Sequence, residues 1–227
     1  MNPINPTTLF LIVNGFDTAH KLSTSYACFR AFVCGQYNVE ENSASLVPQS
    51  TQLPDGGERY DPDEVATYIV QVIDMAVGGN WGDLESCLGF QLYERLRFDL
   101  RVINYEGNDN DMWNDAEVNG QLASGLRYTF EEMKHLFYRW VKERLSVINY
   151  EDAAGNTHTE ETRNGIKKLL TGQDMEKTAF LCFNYTYTLQ KLYDVQEDGI
   201  CQIHGTVDGS EESILFGHGD ESDIENS

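Results

Sequence analysis

Four short polar groups stand out because each directly follows an apolar run. Asn14 opens "NGFD" after "TLFLIV", Asn184 opens "NYT" after "KTAFLCF", His204 opens "HG" after "GICQI", and His218 opens "HGD" after "SILFG". The residue types divide the chemistry among them. An imidazole titrates near neutrality and can take a proton from water or a hydroxyl. A primary amide has no useful acidity, so Asn184 can only orient a partner. Gly15 lets backbone amides approach an anion closely. If the four runs are strands of one parallel sheet, the groups gather at its carboxyl edge, where such sheets bind ligands. Turn geometry alone also places Asn, Gly and His at strand ends, and that reading stays open for each junction.

The elements that must position these groups can be read from periodicity. "TLFLIV" is continuously apolar with β-branched residues, the pattern of a strand buried on both faces. "KTAFLCF" (177–183), "GICQI" (199–203) and "SILFG" (213–217) supply three further short strands. After the first strand comes a polar loop, then a helix that Ser23 would cap and whose Tyr26, Phe29 and Val33 share one side. Residues 35–60 are rich in Gly, Pro, Ser and Asn without a sustained period, which predicts a surface loop. "DPDEVATYIVQVIDMAVGG" predicts a helix with Asp61 as cap, Pro62 in the first turn, Glu64 closing a capping box, and Gly78-Gly79 as its stop. A second helix carries Leu84, Leu88, Leu92 and Leu96 on one stripe, and a third carries Leu126, Phe130, Met133, Phe137 and Trp140. The acidic "EGNDNDMWNDAEVNG" between them predicts a solvated loop.

Composition bounds the class. The chain has 227 residues, 41% hydrophobic and 11% aromatic, which is the make-up of a folded domain rather than a disordered one. Its formal charge of -21, with Lys and Arg scattered among acids, argues against nucleic acid as a partner. Cys28, Cys34, Cys87, Cys182 and Cys201 form no CxxC pair, so neither a disulfide framework nor a structural metal site is expected. Reduced thiols fit a cytoplasmic protein. "MNPINPTTLFLIV" lacks the basic flank of a signal peptide, and no run approaches a membrane span.

Taken in order, "IVNGFDTAHKLSTSY", "WGDLES", "CFNYTYTLQKLY", "QIHG" and "ILFGHG" resemble the signature segments of the AbiH family, which is linked to abortive infection in bacteria exposed to phage. The same positions bear a more distant likeness to sirtuins and sirtuin-like defence proteins. "NGFD", "FNYT", "IHG" and "LFGHG" stand where that family has its glycine loop, its Asn segment, its His-Gly and a later strand end. The likeness implies a Rossmann-like sheet that binds NAD, with Asn184 and His204 at the bond to nicotinamide. It implies a pocket shared by Asn14, Gly15, Phe16, Asp17, Ser25, Tyr26, Thr186, Gly205, Gly217 and His218. Breaking the nicotinamide bond leaves positive charge on the ribose, so the site must anchor the sugar and activate water. In that scheme His204 is the base, Asn184 orients the water or a ribose hydroxyl, and Asp17 holds the sugar.

Each assignment has a plainer alternative. His204 can be a core histidine bonded to a carbonyl, Asn184 a turn former and Asp17 a helix cap. Asp83 reads as a cap, which leaves Glu85 as the residue of "WGDLES" open to a pocket role, while His20 and His158 are unassigned. His135 belongs on a helix face. The departures from the sirtuin pattern are specific. Val13 replaces the first glycine, Lys21 and Ser23 replace a Gly-Pro step, and no GxGxxG is present. Only eight residues separate "IHG" from "ILFG", leaving no room for the zinc ribbon of deacetylating sirtuins. The chain also stops in an acidic tail where a sirtuin-like sheet would continue.

The expected fold is therefore α/β, a Rossmann-like, three-layer, mostly parallel sheet with a helical insertion. It forms a single domain over residues 1–220, with sheet core at 1–34 and 177–220, the insertion at 61–172, and an acidic tail at 221–227. The expected function is phage defence by binding and hydrolysing NAD or a related nucleotide, with no metal. A non-catalytic nucleotide sensor or interaction module is the alternative. A homo-oligomer or a defence-system partner protein is left open.

Overall fold

A computed structural model describes residues 7–40, 47–74, 112–151 and 157–215. In chain order its elements are β1 (Thr8–Ile12), α1 (Asn14–Ala19), α2 (Tyr26–Gln36), β2 (Thr51–Gln52), β3 (Glu58–Arg59), α3 (Pro62–Asp74), α4 (Met112–Trp140), α5 (Thr157–Thr171), β4 (Thr178–Cys182), α6 (Thr188–Tyr193) and β5 (Ile200–Gln202). They fall into two units, Met1–Ser25 with Tyr138–Leu215, and Tyr26–Phe137 with Phe216–Ser227.

The first unit is built on a parallel sheet in the order β1-β4-β5. Leu9, Phe10, Leu11 and Ile12 stand in register with Ala179, Phe180, Leu181 and Cys182. Phe180, Leu181 and Cys182 stand in turn beside Ile200, Cys201 and Gln202. One face is the core. Ile12, Phe180 and Cys182 are buried there with Leu170, Leu189 and Val195, and Phe10, Phe16, Ile166, Tyr193 and Ile200 pack around them. Phe10 stacks on Phe180 with ring centres 5.3 Å apart. Leu170 and Ile166 come from α5, Leu189 and Tyr193 from α6 and Phe16 from α1, so these helices cover that side.

The other face corrects one expectation. Leu9 is 58% exposed and Leu11 63%, so β1 is buried on one side rather than both. Among the described residues the arrangement is mixed α/β with a three-stranded parallel sheet and helices. The fourth strand is a further correction. Glu211–Ser213 forms a single 3-10 turn, and Ile214 and Leu215 follow without strand structure. Residues 216–217 of the "SILFG" run lie outside the described residues. Ile214 N–H bonds Ser210 O and Leu215 N–H bonds His204 O, so the start of the run closes a turn and braces the strand end instead of joining a ladder.

Some boundaries moved as well. "NGFD" is not a loop but the first turn and more of α1, and α2 begins at Tyr26, so Ser23 lies too far upstream to cap it. The second unit holds α2, α3 and most of α4. Asp61 caps α3 as expected, its Oδ1 accepting from the backbone N–H of Asp63 at 2.9 Å and of Glu64 at 3.2 Å. Arg30 of α2 donates from Nε and Nη2 to both carboxylate oxygens of Asp74 on α3, at 2.6 and 2.7 Å. The loop at 35–60 contains the small antiparallel pair β2-β3. The acidic segment is helical from Met112 onward. On α4, Leu126, Met133, Phe137 and Trp140 are buried as the stripe predicts, but Phe130 is 37% exposed and Thr129 and Leu136 take its place inside. The Leu84–Leu96 stripe, Asp83, Glu85 and the Gly78-Gly79 stop lie outside the described residues, and no helix among those described is long and apolar enough to cross a membrane.

Candidate functional site at the carboxyl edge of the sheet

Because the three strands run parallel, their carboxyl ends release Asn14–Asp17, Asn184–Thr188 and His204–Gly205 at one edge of the first unit. The segments are tied by backbone bonds beyond the ladder. Phe183 N–H donates to Ile12 O, Ile203 N–H to Cys182 O, and Val207 N–H to Tyr185 O.

Asp17 is the centre of this edge. It is only 1% exposed, and both carboxylate oxygens accept hydroxyl donors: Thr186 Oγ1 on Oδ2 at 2.6 Å and Thr188 Oγ1 on Oδ1 at 2.7 Å. Asn184 also bonds this carboxylate, and its Nδ2 donates to Val13 O at 3.2 Å. Burial pushes the Asp17 carboxyl above its ordinary range, while the bonds from Thr186, Thr188 and Asn184 and the nearby His20 pull it back. Asp17 and Asn184 are therefore brought together. The contact is an internal clamp between α1, which follows β1 directly, and the segment after β4.

His20, left unassigned by the sequence, is fully buried beside this clamp. Its Nδ1 lies 2.6 Å from Phe16 O, and a carbonyl only accepts, so Nδ1 carries a proton. Its Nε2 lies 2.6 Å from the Tyr193 hydroxyl. In the neutral imidazole Nε2 then accepts from Tyr193. Burial raises the Tyr193 hydroxyl to about 12 and the Tyr150 hydroxyl to about 12. Tyr150 Oη accepts from the Tyr187 N–H at 3.0 Å and also bonds Thr188, so it braces the start of α6. Thr188, Tyr150 and Tyr193 escaped the sequence reading. The available signal was the Thr-x-Thr spacing of "TYT", which puts two hydroxyls close together where the chain turns into α6.

The other predicted positions are placed as follows. His204 is 9% exposed, with its ring 5.6 Å from that of Phe183 and 5.8 Å from that of Tyr185. Gly205 has φ of 84°, and a side chain there would run into the backbone carbonyl of Ser213. Asn14 Oδ1 accepts from Thr24 Oγ1 at 3.1 Å. Gly15 is exposed with open space around it, and Phe16 packs at the sheet core with its ring 4.8 Å from His20. Thr186 is spent on Asp17. Ser25 is half-buried in the first unit, and Tyr26 is half-buried at the start of α2 in the second. Gly217, His218 and His158 carry no described side chain, and His135 is exposed on α4.

Fold and site define an α/β protein with a polar cluster at the carboxyl ends of parallel strands. The chain belongs to the AbiH family: the family model described as bacteriophage abortive infection AbiH matches residues 9–227. That family places it in phage defence by abortive infection. No curated protein and no solved structure matches the chain.

Proposed function

We propose that this AbiH protein acts in abortive infection through a nucleotide bound at the carboxyl edge of a Rossmann-like sheet, with NAD as ligand and its nicotinamide bond as the bond hydrolysed. The observation that supports this reading is the meeting of Asn184 with the start of α1 while His204 follows the adjoining strand end. In the reaction the bond between ribose C1 and the nicotinamide nitrogen breaks, and its electron pair leaves with nicotinamide. A water oxygen bonds to C1 and gives a proton to His204. Asn184 uses its amide hydrogens on Val13 and Asp17, which leaves its amide oxygen to hold the water or a ribose hydroxyl. Asp17 itself is engaged by internal donors, so its part is to fix α1 against the segment after β4 rather than to grip the sugar.

A second reading, binding without turnover, draws on the same engagement: polar groups already committed to the protein favour a rigid receptor over a reactive centre. Incubating the purified chain with NAD and following nicotinamide release separates the two. Hydrolysis predicts release that disappears in Asn184→Ala and His204→Ala. A thermal shift with ADP-ribose but no release selects the sensor. Absence of both shift and release would overturn nucleotide binding altogether.

A further inference from the structure

Ile12, Cys182 and Gln202 form the last row across the three parallel strands. Residues in register share a face, and residues two apart along a strand share it too. Ile200 packs against the core, so Gln202 points the same way, into a row whose other members are apolar. Two positions further along each segment stand Asn14, Asn184 and His204, so Gln202 lies one pleat beneath the polar edge. Its amide end is enclosed by protein, and neither Oε1 nor Nε2 has a partner. Among the described residues the other such atoms are single ones, Arg163 Nε and Gln190 Oε1. A residue with only a packing role gains nothing from an enclosed, unmet donor and acceptor, since Leu or Met fills the same volume without them.

We infer that Gln202 recognises a ligand edge that offers an N–H donor beside an acceptor. Its Oε1 takes the donor and its Nε2 gives to the acceptor. Adenine offers that edge at N6 and N7, where a Gln amide bonds bidentately, and a primary carboxamide such as that of nicotinamide offers it as well. The inference rests on the nucleotide reading and adds a specificity residue to it. Buried water is the competing occupant.

The test is calorimetric titration of the full chain and of Gln202→Met and Gln202→Leu with ADP-ribose, which has adenine alone, and with nicotinamide mononucleotide, which has the carboxamide alone. Melting temperatures are read for all three proteins. The expected result is that both variants melt no lower than the parent, and that affinity for one of the two ligands falls about tenfold or more while the other holds. The ligand that suffers identifies the edge. Unchanged affinity for both overturns the inference and leaves the nucleotide reading standing. Variants that melt lower and weaken toward both ligands alike also overturn it, and assign Gln202 to a structural water. If the parent binds neither ligand, both the inference and the nucleotide reading fall.

Discussion

A carboxylate whose two oxygens accept from neutral hydroxyls, as those of Asp17 do from Thr186 and Thr188, ties its charge to those donors. Thr188→Val keeps the shape of the side chain but removes one hydroxyl from Asp17, and loss of a hydrogen bond to a charged group costs about 1.5–3 kcal/mol. Urea denaturation should show that loss. The raised pKa of Asp17 has a definite sign. The folded chain holds the Asp17 proton more tightly than the unfolded chain, so this group's contribution to stability is fullest below the ordinary carboxylate range and is lost as pH rises through the raised value. Asp17→Asn cannot titrate, so its stability against pH should lack that downward slope, and denaturation at a series of pH values would reveal the difference. Of this cluster, Asp17 and Asn184 were legible because each follows an apolar run. Thr188, His20, Tyr150 and Tyr193 were not, because a hydroxyl or imidazole declares its partner only after distant segments have met.

At the scale of elements, the parallel strands β4 and β5 were legible because their brief apolar runs end in polar groups. The status of "SILFG" was not, since its conformation is set by contacts rather than by pattern. Leu215 N–H bonds His204 O, the Tyr185 hydroxyl bonds Leu215 O at 2.7 Å, and Gly205 turns beneath Ser213. Gly205→Ala should therefore lower the melting temperature by more than about 2 °C, because Ala opposes a positive φ and meets backbone. Gly15→Ala is the contrast. It lies in α1 with open space around it, so the fold should be unchanged or steadier by up to roughly 1 kcal/mol. If backbone amides there approach a phosphate, ADP-ribose binding measured by calorimetry should nonetheless weaken.

For the whole molecule, a formal charge of -21 opposes compaction, since like charges are crowded together on folding. Added salt screens this repulsion, with a Debye length near ~10 Å at 0.1 M. The melting temperature should accordingly climb between low salt and about 0.5 M sodium chloride, a range over which that length shrinks severalfold. Composition made this property plain from the start. It gave no hint that β1 would show one apolar side to solvent, because a run such as "TLFLIV" looks the same whether one or both of its sides are covered.

That bare side has a practical outcome. Among the described residues β1 ends the strand order with Leu9 and Leu11 outward, and an outer strand of this kind is a template onto which other chains can stick. The abundant carboxylates keep copies apart in neutral buffer. Near the isoelectric point of about 4.4 that mutual avoidance vanishes while the greasy stripe persists. Acidified solutions should turn cloudy, and Leu11→Lys should keep them clear.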